Sequence, residues 1–125
     1  MQIRVYYEDT DAGGVVYHSN YLKFCERARS EIFFSKNVDI FDASKGHFLL
    51  VKANCNFLKP AKLGDILEIK TKLLELKKAS LVISQEIFRK EEKLFSADFV
   101  LAFIKNSKPV AMDEKLKEEF KLLLA

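Results

Sequence analysis

The stretch Tyr7-Glu8-Asp9-Thr10-Asp11-Ala12-Gly13-Gly14-Val15-Val16-Tyr17-His18-Ser19-Asn20-Tyr21 sets three acids and two glycines between a strand-like start and a helix-like continuation. A carboxylate held beside a helix N-terminus can attack a carbonyl, or activate a water that does. Glycines let the backbone approach a ligand closely and adopt positive φ. The first amides of a helix are unpaired donors with partial positive charge, so they can hold an oxygen that gains negative charge in a transition state. The same residues also read as a plain turn with a helix cap. Taken together, Glu8, Asp9 and Asp11 read as a divalent-metal site, a weaker idea because hard cations recruit more oxygen ligands than so short a loop guarantees.

The elements around this stretch follow from periodicity. Residues 2 to 7 are β-branched and aromatic, a strand that the acid and glycine segment ends. From Ser19 the period changes: Tyr21, Phe24, Cys25, Ala28 and Ile32 form one apolar stripe, with Lys23, Arg27, Ser30 and Glu31 away from it. Ser19 or Asn20 would cap this helix, leaving His18 at or just before its first turn. A loop from about Asn37 to Gly46 leads to an extended segment, Phe48 to Phe57. Lys59-Pro60-Ala61-Lys62-Leu63-Gly64-Asp65 is turn chemistry. Leu67, Ile69, Thr71 and Leu73 then alternate with charged residues; Leu81, Ile83 and Ile87 start a fourth strand, and Phe95, Ala97, Phe99, Leu101 and Phe103 face one side of a fifth. Leu116, Phe120, Leu123 and Leu124 return to a helical period. The expected order is strand, long helix, four strands as an antiparallel meander, and a short helix, an α+β domain. One helix covers one face of such a sheet, so association with a second copy is expected, with a site near the helix start able to lie at the interface.

Residues 1–125, nearly half of them hydrophobic, have the size of a single domain with one core. No apolar run approaches a membrane span and the N-terminus lacks a signal-peptide core, which points to a soluble cytoplasmic protein. Cys25 and Cys55 are in no CxxC and near no histidine at ligand spacing; they read as buried thiols rather than a metal or disulfide framework. The net charge of +3 is mild. Lysines cluster near Lys59 and Lys62, Lys77 and Lys78, Lys90 and Lys93, and Lys105 and Lys108, as solvated surface or as turns that hold phosphates or an acidic protein. They are not interleaved with aromatics in any nucleic-acid-binding module. His47 has no partner identifiable in sequence and reads as structural.

The fifteen-residue run from Tyr7 to Tyr21, with Glu26-Arg27-Ala28-Arg29 in the helix and the Pro60-Ala61-Lys62-Leu63-Gly64-Asp65 turn, resembles the hotdog-fold acyl-CoA thioesterases. More narrowly, it is similar to the YbgC branch of the 4-hydroxybenzoyl-CoA thioesterase family, over nearly the whole chain. The resemblance implies a hotdog fold, an antiparallel five-stranded sheet wrapped around one long helix, without cofactor or metal. It implies that Asp11, the second acid of Asp-x-Asp, is the catalytic carboxylate, and that His18, following Gly-x-Val-Tyr, gives its backbone amide to the thioester carbonyl. Gly14 lets the loop pass close to the thioester. Tyr7, Tyr17 and Tyr21 are candidates for contact with substrate, Tyr17 and Tyr21 beside the acyl chain or as core, and Lys59 and Lys62 are candidates for phosphates of CoA or of an acyl-carrier protein. A further branch of the fold carries its acid on the helix; Glu26 and Glu31 rank lower because the Asp-x-Asp loop is intact. The implied assembly is a dimer with interface sites, often doubled to a tetramer, and the implied substrates are fatty acyl thioesters met in the cytoplasm or at the periphery of the inner membrane. The competing reading keeps the fold as a non-catalytic acyl or acyl-carrier-protein binding module.

Overall fold

The computed structural model describes residues 1–35 and 45–124, so the loop expected from Asn37 to Gly46 lies, up to residue 44, outside the described residues. In chain order the elements are β1 (Gln2–Arg4), α1 (His18–Ser35), β2 (His47–Phe57), β3 (Ile66–Leu76), β4 (Ser80–Arg89), β5 (Glu92–Lys105), β6 (Lys108–Pro109) and α2 (Glu114–Leu123). The five strands and two helices expected from periodicity are present. The two-residue β6 is added to them by a tight hairpin in which Asn106 and Ser107 both take positive φ. The first strand is shorter than the expected residues 2–7. Tyr7–Asp9 wind into one 3-10 turn, because the Asp9 carboxylate captures the Tyr6 amide at 2.8 Å.

The strands form one antiparallel sheet in the order β1-β3-β4-β5-β2, with β6 on β5. Only β3, β4 and β5 make a meander; the expected four-strand meander is wrong, since β2 pairs with β5 and not with β3. The reason lies in residues 58–65, which do not turn back on β2. They are anchored at Ala61, fully buried, whose amide donates to the Tyr21 hydroxyl at 3.0 Å and whose carbonyl accepts from the Val16 amide at 2.9 Å. The connection therefore crosses the start of α1 before entering β3. It leaves β2 as an edge strand, with Leu49, Leu50 and Val51 52%, 42% and 56% exposed.

Helix α1 lays Tyr21, Phe24, Cys25 and Ala28 on Ile69, Ile87, Phe95 and Phe99 of the sheet. Its last turns join a second cluster, where Phe33 packs with Ile83, Leu101, Phe103 and the α2 residue Phe120. Phe33, not Ile32, is the buried residue there. Asp113 caps α2, its carboxylate accepting from the Leu116 amide at 2.8 Å. Cys25 is buried as expected, and burial pushes its thiol up to about 12. Cys55, expected to be buried, is only half-buried.

A polar belt separates the two apolar clusters. Gln85, fully buried, follows Ile83 and precedes Ile87 on the core-facing side of β4. It accepts from Arg29 Nη1 at 2.8 Å and donates to the Cys25 carbonyl at 3.0 Å and to Thr71 Oγ1 at 2.9 Å. The Arg29 guanidinium lies 4.6 Å from the Phe99 ring centroid. Because these groups are mutually satisfied, the belt fixes how α1 sits on the sheet instead of leaving an orphaned buried amide.

Candidate active site

Residues 10–16 form a narrow hairpin: the Asp11 amide donates to the Val15 carbonyl at 2.9 Å, and the Gly14 amide to the Asp11 carbonyl at 3.1 Å. Gly14 has φ 80°, the left-handed region that favours glycine. At the tip, Asp11 is exposed, and its Oδ1 accepts from the Gly13 amide at 2.8 Å, which fixes the carboxylate. A Cβ on Gly13 would stand 3.2 Å from that oxygen, so glycine leaves it room. Asp9 has the opposite environment. It is 7% exposed, and its carbonyl accepts from the Tyr17 amide and from Asn20 Nδ2, both at 2.9 Å. Asp9 thus ties the hairpin to the first turn of α1 while Asp11 faces outward. Glu8 is exposed, and among the described residues no three or more His, Cys, Asp or Glu side chains group as a metal site.

His18 opens α1. Ser19 and Asn20, expected as caps, fall inside the first turn instead, because the Asn20 side chain is drawn to the Asp9 carbonyl. Among the described residues, the His18 and Ser19 amides have no acceptor. A helix start without a side-chain cap forgoes about 1 kcal/mol and leaves its donors and positive dipole end for another oxygen. The His18 imidazole is exposed, 4.3 Å from the Tyr17 ring.

Tyr7 and Tyr17, next to this loop in the chain, are 82% and 46% exposed. Tyr21 takes the core position of its two readings: its hydroxyl holds Ala61 and its ring stacks on Phe95 at 5.1 Å. Lys59 pairs with Glu92 at 2.8 Å, and Arg89 bridges Glu92 and Asp65. Burial alone would raise the Asp65 carboxyl, but the Arg89 hydrogen bond and the Lys62 amide outweigh it and hold the group below its usual range. Lys62 bridges to Val15 through its backbone and keeps an exposed side chain with no ion-pair partner among the described residues. Glu26 accepts from the Ser30 hydroxyl at 2.6 Å, and it stands with half-buried His47 in the wall of a cleft of about 720 Å³ that excludes Asp11 and His18. Glu31 is exposed on α1.

Sequence reasoning missed Asn20 as a clamp, and nothing in its position separates that role from capping. It also missed the Gln85–Arg29 belt, although a glutamine in phase with Leu81, Ile83 and Ile87 was a legible signal of a polar group in the core.

An antiparallel sheet wrapped around one long helix, with an acid-bearing hairpin at the helix start, is the architecture of hotdog-fold thioester hydrolases. The chain belongs to the Thioesterase superfamily, whose sequence profile matches residues 13–96, beginning two residues after Asp11, and it is a thioester hydrolase. It is 43% identical to the acyl-CoA thioesterase YbgC of Helicobacter pylori, covering 94% of this chain and 96% of that one. The acyl-CoA thioester hydrolase YbgC of Escherichia coli is 40% identical over 95% and 92% of the two chains. The crystal structure of a probable thioesterase from Bartonella henselae is 37% identical and aligns with a TM-score of 0.79 over 90% of this chain and 96% of that one.

Proposed function

We propose that the chain hydrolyses fatty acyl-CoA to free acid and CoA, with Asp11 as the catalytic carboxylate and the His18 amide as oxyanion donor. The observation that carries this reading is an outward-facing carboxylate, fixed by the Gly13 amide, on a hairpin tied to a helix start that no side chain caps. Asp11 acts as general base on a water in preference to attacking the carbonyl itself. An amide in the oxyanion role is worth about 2.7–4 kcal/mol of barrier. The leaving thiolate, with a thiol pKa of about 8.5 by analogy with cysteine, needs little acid help. Gly14 keeps the hairpin tip thin enough for the thioester to approach. Tyr7 and Tyr17 flank the substrate, and Tyr21 supports the wall behind them through Ala61.

Lys62 takes phosphate oxygens of CoA or of an acyl-carrier protein, with Lys59 contributing less because Glu92 already engages it. The exposed apolar edge of β2 supports pairing with a second copy, into a dimer or tetramer with sites at the interface. No helix among the described residues is long and apolar enough to cross a membrane. That accords with a cytoplasmic enzyme able to work at the periphery of the inner membrane.

The test is release of free thiol from butanoyl- and palmitoyl-CoA by the purified protein, with and without a chelator. Turnover indifferent to the chelator is expected. Tight binding without thiol release would replace this reading with that of an acyl-binding module. Lys62→Glu should raise KM roughly tenfold with kcat unchanged, the signature of a lost charge contact in binding; if neither constant moves, Lys62 is solubilising surface.

A further inference from the structure

The segment that carries Glu8, Asp9 and Asp11 leaves the body of the protein at Val5 and rejoins it at Val16, both buried, and both ends are tied to a single turn, residues 61–65. On the way in, the Val5 amide donates to the Asp65 carbonyl and the Gly64 amide donates to the Val5 carbonyl, each at 2.9 Å. On the way out, the Val16 amide donates to the Ala61 carbonyl at 2.9 Å, and Val15 bridges to Lys62. The Val15 carbonyl in turn accepts from the Asp11 amide, so main-chain contacts run from Lys62 through Val15 to Asp11. The shape of the 61–65 turn therefore sets where the Asp11 hairpin stands.

Asp65 fixes that shape. Its Oδ2 accepts from the Lys62 amide at 2.8 Å, and its own amide donates to the Lys62 carbonyl at 3.0 Å, closing the turn on itself. The same Oδ2 accepts from Arg89 Nη1 at 2.8 Å. Arg89 Nη1 also reaches the Pro60 carbonyl at 3.3 Å, and Nη2 engages Glu92, which holds Lys59 at 2.8 Å. Arg89 ends β4 and Glu92 begins β5, so the guanidinium fastens the turn to the β4–β5 hairpin. A lone surface ion pair adds little stability. A forked guanidinium whose carboxylate also holds a backbone amide fixes direction as well as distance.

We propose that Asp65, with Arg89 as its partner, is a positioning residue of the hydrolase, acting through the 61–65 turn on the Asp11 hairpin without touching substrate. The assignment rests on the reading of Asp11 as the catalytic carboxylate and adds the device that holds it in place.

Asp65→Ala should lower kcat on butanoyl-CoA roughly tenfold, short of the 10²-fold that a misplacement of about 1 Å can cost. On S-butanoyl-N-acetylcysteamine, a thioester without phosphates, kcat/KM should fall by the same factor. Asp65→Asn keeps an acceptor for the Lys62 amide, so it should lose less, and it serves where the alanine variant does not fold. Arg89→Met should lower both quantities too, and the double variant no further than the worse single one, because the two residues act as one unit. Hydrogen exchange at the Val16 amide should quicken in Asp65→Ala relative to exchange at the Phe24 amide within α1. A loss confined to KM for the CoA ester would make the cluster a phosphate contact, and unchanged exchange with unchanged kcat would make it plain surface; either overturns the proposal. Quickened exchange at Val16 with full kcat upholds the clamp on the hairpin and overturns Asp11 as the acting acid instead.

Discussion

At its first turn α1 is held by hydrogen bonds, from the Tyr17 amide and Asn20 side chain to the Asp9 carbonyl, whereas its far end is held by rings, Phe33 lying 5.5 Å from Phe120 and 6.4 Å from Phe48. The first end buries little around the exposed Asp11 carboxylate and controls its geometry bond by bond. The far end controls nothing so finely but removes several aromatic side chains from water, each worth about 1.5–3 kcal/mol when fully buried. On the proposed reading, chemistry belongs to one end and cohesion to the other, with the Gln85–Arg29 belt between them. Each end should therefore be breakable without the other.

The largest expected effect is at the far end. Phe120→Ala removes a ring that is 1% exposed and should cost about 3–5 kcal/mol in denaturant unfolding, with kcat on butanoyl-CoA unchanged in the folded fraction. A collapse of kcat in parallel with stability would erase the division. Asn20→Ala is the complementary change: losing one clamp to the Asp9 carbonyl should lower kcat roughly tenfold, about 1.4 kcal/mol, while shifting the unfolding midpoint little. If Asn20→Ala costs stability and leaves kcat untouched, the clamp is cohesive rather than catalytic.

The smallest effect reads the helix side facing the sheet. The folded protein keeps the Cys25 thiol protonated to about 12, while in the unfolded chain it ionises near 8.5, roughly the free-cysteine value. This contribution to stability is complete below the unfolded value and is lost as pH rises toward the folded one. Cys25→Ala should flatten the fall in melting midpoint between about pH 8 and about pH 10; an unchanged slope would mean that the thiol is hydrated in the folded state.

Much of this was legible in sequence, for identifiable reasons. The apolar stripe of α1 and the alternation of β3 to β5 follow from periodicity alone, because burial on one face of each element dictates the pattern. The position of β2 did not follow: strand neighbours depend on where residues 58–65 dock, and the deciding bonds, from Val16 and to Tyr21 at Ala61, join residues remote in sequence. In the hairpin, the family resemblance singled out Asp11, and residue types gave the helix start. They could not distinguish the surroundings of Asp9 from those of Asp11, since two aspartates two residues apart differ only in which backbone groups each one meets. Tyr21 likewise carried two readings until its hydroxyl was seen on the Ala61 amide.

The claim that the exposed acid of the hairpin performs the chemistry is tested most directly by Asp11→Asn, which keeps size and removes the base. Thiol release from acyl-CoA should fall by about 10²–10⁴-fold, the contribution of a positioned general base, with the unfolding midpoint retained. Turnover by the folded variant close to that of the wild type would contradict the assignment.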